Sequence, residues 1–132
     1  MSTINDQPVR SLLEAPNFAT VSTTNPDGSI HSVVVWVDAE DGHVALNSAL
    51  GRRWPTNLER DPRATVTVHD ERNPYDYVEI RGRAEPRMDG AEEHIDKLAQ
   101  KYLGRETYPY RRRGERRIKF IIAPDYVRHQ AQ

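Results

Sequence analysis

The stretch Asn25-Pro26-Asp27-Gly28, set between residues 18–24 and the Val- and Trp-rich run 30–38, does most to limit the folds open to this chain. Proline presets one turn dihedral, glycine accepts the left-handed one, and the β-branched runs on either side favour extended backbone. The three pieces together predict a β-hairpin. The pattern then continues. Glu40-Asp41-Gly42 makes a second turn, and residues 43–47 return as a strand with Val44 and Leu46 on one face. Residues 63–69 alternate Ala64, Val66 and Val68 with polar positions, and residues 77–84 follow the turn-like 70–74 segment and stop at Pro86. Residues 118–122 give a sixth strand.

Three helical patterns interrupt the series. Pro8 in the first turn after Asp6, with Val9, Leu12 and Leu13 on one side, predicts a short helix that ends near Pro16 and lids the sheet. Pro55 as first helical residue, Leu58, and the stop at Asp61-Pro62 predict a helix of about two turns. Asp89 and Glu92 have capping-box spacing, and Ile95, Leu98, Ala99 and Tyr102 fall on one stripe before Gly104, which predicts a helix over 90–103. Six mostly antiparallel strands with flanking helices make a mainly β fold. A closed or nearly closed barrel is expected, because closure removes unpaired edges. At 132 residues, without repeat or linker, the chain is expected to be a single domain over 1–132. Only 36% of it is apolar against 30% charged, so part of the core surface is expected to be completed by a second subunit.

Several chemistries are excluded early. The chain has no cysteine, which removes disulfides, thiolate metal sites and cysteine nucleophiles. The five histidines, His31, His43, His69, His94 and His129, show no metal-ligand spacing, so no metal is expected. No phosphate-binding P-loop, dinucleotide glycine motif or serine elbow occurs. A net charge of -1 argues against nucleic acid as partner. The absence of a long apolar run argues against a membrane, and a cytoplasmic location is expected. Sixteen of the nineteen basic residues are arginine, which suits phosphate recognition, although a G- and C-rich genome produces the same bias.

The segment Asn47-Ser48-Ala49-Leu50-Gly51-Arg52-Arg53-Trp54-Pro55 is different in kind, because a strand ends in small polar residues and leads arginines directly into a helix start. Free N–H groups, the positive helix end, the Ser48 hydroxyl and the Arg52 and Arg53 guanidiniums can converge there on one phosphate. The competing reading is that both arginines are exposed and pair with Glu59 or Asp61. The run Arg111-Arg112-Arg113-Gly114-Glu115-Arg116-Arg117, beside Tyr108 and Tyr110, offers either a polyanion grip or a solvated loop. Trp36 and Trp54 offer flat surfaces to a ring system or packing to the core.

Taken together, FATVSTTNPDGSIHSVVVWVD, GRRWPTNLERDPRATVTV, NPYDYVEIRGRAE, EEHIDKLAQKYLGRETYP and RIKFIIAPDYV resemble the pyridoxamine-phosphate-oxidase-like split β-barrel superfamily (the FMN-binding split barrel) over nearly the whole chain. The second and fourth pieces are the specific ones, and the likeness is nearest to the deazaflavin (coenzyme F420) dependent reductases. The resemblance implies a six-stranded split barrel and a homodimer with cofactor sites between subunits. It puts the anion-binding turn and helix on Ser48, Ala49, Arg52, Arg53, Thr56 and Asn57, and the ring system along His31, Val33, Val34 and Trp36. Tyr75 and Tyr77 of the second subunit would close the groove. Many relatives carry a lysine where this chain has Trp54, so one of their contacts to the phosphate or tail is absent or replaced here. F420 and FMN both suit the fold.

The implied reaction is hydride transfer between reduced deazaflavin and a small electron-poor organic substrate, with the protein orienting the cofactor and excluding water. No side chain has to be a nucleophile, the catalytic residues stay unassigned, and the proton donor is Tyr75, Tyr77 or solvent. The alternatives are an FMN-dependent enzyme, a carrier or sensor that binds the cofactor without turnover, and, more distantly, a nucleic-acid binder that uses the 111–117 run.

Overall fold

The computed structural model describes residues 2–131. These form, in order, α1 (Gln7–Glu14), β1 (Ala19–Thr24), β2 (Ile30–Val35), β3 (Asp38–Glu40), β4 (His43–Ala49), α2 (Arg53–Arg60), β5 (Arg63–His69), β6 (Tyr77–Arg87), α3 (Ala91–Leu103) and β7 (Arg117–Gln130). The strands make one antiparallel sheet in the order β2-β1-β5-β6-β7-β4-β3. Among the described residues no helix is long and apolar enough to cross a membrane.

Seven strands replace the expected six, and the sheet is not closed by hydrogen bonds. The run 30–38 breaks at Trp36 and Val37: Val35 still pairs with Ala19 of β1, whereas Asp38 pairs with Ala45 of β4 at the other end of the sheet. The chain itself therefore carries the structure from one edge to the other. Side chains of α3 satisfy the backbone at the crossing. The Val37 N–H donates to the Tyr102 hydroxyl at 3.1 Å, and its carbonyl accepts from Lys101 Nζ at 2.6 Å. Sequence periodicity could not show this break, because the Val and Trp residues on both sides of it suit a strand equally well.

Two other boundaries move for identifiable reasons. Strand β6 runs through Pro86, which lies opposite Phe120. The β5 pairing ends at Arg83, so beyond that point β6 has β7 on one side and needs no N–H for a second ladder. Strand β7 extends well past residue 122, and a bulge absorbs Pro124: Arg81 pairs with Tyr126 but Gly82 pairs with Pro124, leaving Asp125 extra. Helix α3 is capped by Gly90 at φ 78° with no side-chain cap bond, so the expected capping box does not form. Glu92 instead accepts from Arg111 Nε at 3.1 Å and from the Arg117 N–H at 3.2 Å.

Val9, Leu12 and Leu13 of α1 are buried against β3, β5 and β6, so this helix covers the inner face of the sheet. Val21, Leu46, Val66, Val68, Val78, Ile80, Phe120 and Ile122 form the centre of the core beneath it. Helix α3 packs on the opposite side of β4 and β7. That is why every residue from Val44 to Ala49 is buried, where alternation alone implies one buried face.

At Gly82 the β7 backbone leaves no room for a side chain. A Cβ there would lie 2.2 Å from the Ala123 carbonyl oxygen and 2.8 Å from the Ile122 side chain. Because the obstacle is backbone, the strands must separate to admit it. Gly82→Ala is expected to cost about 2 kcal/mol or more, lowering the thermal midpoint by about 7 °C for a chain of this size. A thermal melt followed by circular dichroism checks this, and an unchanged midpoint would contradict the close approach.

Candidate functional site

Strand β4 ends at Ala49, and the chain turns into α2 through Leu50 and Gly51. The Arg52 N–H closes the turn on the Ala49 carbonyl at 3.3 Å, and the Leu50 N–H reaches the Arg116 carbonyl at 2.9 Å. Gly51 has φ 94°, the left-handed position that this kind of turn gives to glycine. Arg52 is the N-cap, with its carbonyl accepting from the Thr56 N–H and, at 2.8 Å, from the Thr56 hydroxyl. The helix thus starts two residues before Pro55, and Arg53 and Trp54 are its first members. Its first turn holds no acidic residue, so nothing local neutralises the positive helix end. Beside it, Ser48 is 1% exposed and its Oγ has no hydrogen-bond partner among the described residues. A buried hydroxyl left this way marks a place where a polar ligand atom would be favoured.

A cleft of about 390 Å³ opens over this junction. His31, Val33 and Val34 of β2, with Trp36 just beyond it, form one wall; Ser48, Arg52, Arg53 and Trp54 form its end. Ile95 and Leu98 of α3, with Tyr108 and Tyr110 from the loop before β7, form the other side. The aromatic rings are continuous. Tyr102 stacks between Phe18 at 5.7 Å and Trp36 at 5.2 Å, Trp36 meets the edge of Tyr108 at 5.9 Å, and Tyr108 meets Tyr110 at 5.6 Å. An apolar and aromatic slot with cations at one end suits a planar ligand that carries an anionic tail.

Under the cleft lies a buried polar chain that scattered sequence positions do not reveal. Asn47 Nδ2 donates to the Ala91 carbonyl at 2.9 Å and to His94 Nδ1 at 3.1 Å, while its Oδ1 accepts from Arg117 Nε at 2.9 Å. Arg117 Nη1 then meets Glu115 Oε1 at 3.0 Å, and the same oxygen lies 3.5 Å from Arg52 Nη2. Burial, together with the Lys119 charge, pushes the His94 ring down to about 4, so it is neutral at ordinary pH. The pairing of Arg52 with Glu115 corrects the competing expectation of Glu59 or Asp61. Asp61 is instead held by Arg63 at 2.7 Å.

Of the residues singled out from sequence, His31, Val33, Val34, Trp36, Ser48, Arg52, Arg53 and Trp54 line this one cleft. Trp54 is mostly core, 5.5 Å from Phe120. Ala49 is buried at the end of β4, and Thr56 serves the helix cap. Asn57 is turned inward, donating to Thr23 Oγ1 and Asn25 Oδ1 at 3.0 Å each, so its amide ties α2 to β1. Tyr75 is exposed in the β5–β6 loop and Tyr77 begins β6; within one chain neither is among the cleft's lining residues. The arginine-rich run is partly consumed internally. Arg111 pairs with Glu92 and Asp96, and Arg117 is buried, whereas Arg112, Arg113 and Arg116 remain exposed. Phe18, Asn47, Glu115 and Arg117 carry no local signal that ties them to the site, because only the tertiary fold brings them to Ser48 and Arg52. Among the described residues no cluster of His, Asp or Glu is arranged to hold a metal.

A profile of the family described as pyridoxamine 5'-phosphate oxidase matches residues 6–131. No curated protein matches the chain. Among solved structures, an F420 reductase is 24% identical over 90% of this chain and 94% of its own, with a TM-score of 0.78. A conserved hypothetical protein from Mycobacterium tuberculosis is 20% identical over 99% of this chain and 85% of its own, with a TM-score of 0.76. A putative pyridoxamine 5'-phosphate oxidase from Listeria innocua is 17% identical over 92% and 94%, with a TM-score of 0.70. At these identities the likeness establishes the fold.

The buried His94 gives a stability signature. Its pKa is depressed from 6.5 to about 4, so the neutral ring stabilises the fold fully above pH 6.5, and that contribution is lost as pH falls toward 4. The full span amounts to about 3 kcal/mol. Urea midpoints measured at pH 7.5 and 4.5 should therefore differ less in His94→Gln than in the wild type. An equal pH dependence would show that His94 titrates normally.

Proposed function

Because this chain belongs to the pyridoxamine 5'-phosphate oxidase family, we propose that it is a flavin-type oxidoreductase that holds coenzyme F420 in the β2–α2 cleft and serves hydride transfer to a small electron-poor organic substrate. The observation that carries the reading is the unpartnered, buried Ser48 hydroxyl beside Arg52 and Arg53, at the cationic end of an aromatic slot. A phosphate-bearing planar cofactor fits both halves. Ser48, Arg52 and Arg53 would hold its phosphate, and His31, Val33, Val34 and Trp36 would lie along its ring.

When bound, the deazaflavin supplies the hydride chemistry. The chain's own residues bind and orient. Arg52 and Arg53 neutralise the tail; the Trp36–Tyr102 stack, Ile95 and Leu98 keep the slot dry, which strengthens every polar contact made inside it. The reading includes a homodimer. Strand β2 has no fully buried residue, and Ile30 and Val34 are each 65% exposed, an apolar edge that a second copy would cover. Tyr75 and Tyr77 of that copy would then close the groove and, with solvent, are the candidate proton donors. FMN is the alternative cofactor, since the same cradle accepts its phosphate.

The test is a fluorescence titration with F420 and, separately, FMN. Micromolar or tighter F420 binding with weaker FMN binding is expected, and Arg52→Ala should weaken F420 binding by about tenfold or more with an unchanged melting midpoint. Oxidation of reduced F420 by added acceptors then separates an enzyme from a carrier. Unchanged affinity in Arg52→Ala would remove the phosphate assignment, and tighter FMN binding would move the protein to that cofactor.

A further inference from the structure

At the cationic end of the cleft, Arg52 already meets an anion of the chain itself. Glu115 Oε1 is shared between Arg117 Nη1 at 3.0 Å and Arg52 Nη2 at 3.5 Å. The two contacts differ in kind. Arg117 is locked: its side chain is 3% exposed, its Nε is bound by Asn47, and its guanidinium lies 5.1 Å from the Tyr108 ring centre. Glu115 is equally fixed, with a side chain 7% exposed and a backbone N–H bonded to the Arg112 carbonyl. Arg52 is half exposed and meets the carboxylate at the longer distance, so its contact is the one that can exchange.

We propose that Glu115 is an internal competitor for the anion site: it engages Arg52 when the site is free and lowers the affinity for the phosphate that Arg52 binds. The inference rests on the reading of Arg52 given above. An anion held by Arg52 sits close to a buried negative charge that cannot move away, because Arg117 retains it. Low surrounding polarity keeps that repulsion from being screened. The carboxylate has a benefit as well as a cost. It prevents two arginines from facing each other uncompensated, and it ties the loop that carries Tyr108 and Tyr110 to the start of α2.

The test compares affinities for F420 or FMN, whichever the wild type binds, with those for the corresponding phosphate-free ligand, ribityl deazaflavin or riboflavin. In Glu115→Gln the ratio of the two affinities should rise about fivefold, the usual size of one partly exposed charge pair, with little change for the phosphate-free ligand. Glu115→Gln leaves buried Arg117 without its charge partner, so Glu115→Gln with Arg117→Gln removes the pair together if the single variant fails to fold. There the ratio should still rise, by about twofold or more, because Arg52 no longer has an internal carboxylate to engage. A ratio that stays constant or falls overturns the competitor role. If the wild type itself does not prefer the phosphate-bearing ligand, the phosphate assignment of Arg52 fails instead.

Discussion

The backbone of Val37 is the point on which the rest of this structure depends. There the chain leaves one edge of the sheet for the other, and no strand supplies hydrogen bonds to a residue that is fully buried. Lys101 and Tyr102, at the end of α3, take that role. Lys101 Nζ binds the carbonyls of Val37 and Leu13, and the Tyr102 hydroxyl accepts from the Val37 N–H while donating to the Asn17 carbonyl. Four elements thus meet at two side chains: the β2–β3 crossing, the end of α1, the approach to β1, and α3. Burial brings the Lys101 ammonium down to about 8 and pushes the Tyr102 hydroxyl up to about 12. At neutral pH the first therefore remains largely a cation with acceptors and the second a neutral donor. The ring of Tyr102 is also the middle of the stack that walls the cleft, so the contact that satisfies the crossing also sets the shape of the site.

A second buried polar system, centred on Asn47, governs the charge at the other end of the slot. Its single amide joins β4 to α3 and to the first residue of β7, meeting one carbonyl, one ring nitrogen and one guanidinium. Each partner would be costly to bury alone. Together they let an arginine stand inside the protein at the floor of the cleft, with Glu115 as counter-charge and Tyr108 against its face. The many arginines of this chain therefore do unlike things. Arg117 is structural, Arg111 fastens the loop to α3, and Arg52 keeps most of its donors for solvent or a ligand.

Local signals made most of the strands and all three helices legible in the sequence. Turn glycines, alternating apolar residues and helical stripes act over a few neighbours, and the fold leaves them intact at β1, β4, β5 and α3. What the sequence hid is non-local. The break at Trp36 lies within a run of uniformly strand-forming residues, and Pro86 is tolerated because β5 stops short of it. Glu92 abandons the capping box because Arg111, eight residues beyond the end of the helix, reaches back to it. In the site, the arginines at a helix start were readable from a short segment. The inward turn of Asn57 and the Glu115 contact were not, since each depends on a partner more than thirty positions away.

The open side of the sheet explains why the cleft lies where it does. Had β2 and β3 paired directly, β2 would have joined a closed wall and its residues would have gone to a barrel interior. Instead the chain crosses without pairing, and His31, Val33 and Trp36 are left partly accessible along an edge strand that faces α3 and the tyrosine loop. An unpaired edge is ordinarily a liability, because it invites other strands. Here one side of it is occupied by aromatic packing from Tyr102 and Tyr108, and Ile30 and Val34 remain as apolar surface. The split therefore creates two incomplete surfaces at once, a slot suited to a flat ligand and an apolar margin suited to another protein surface. Their adjacency means that whatever covers the margin also borders the slot.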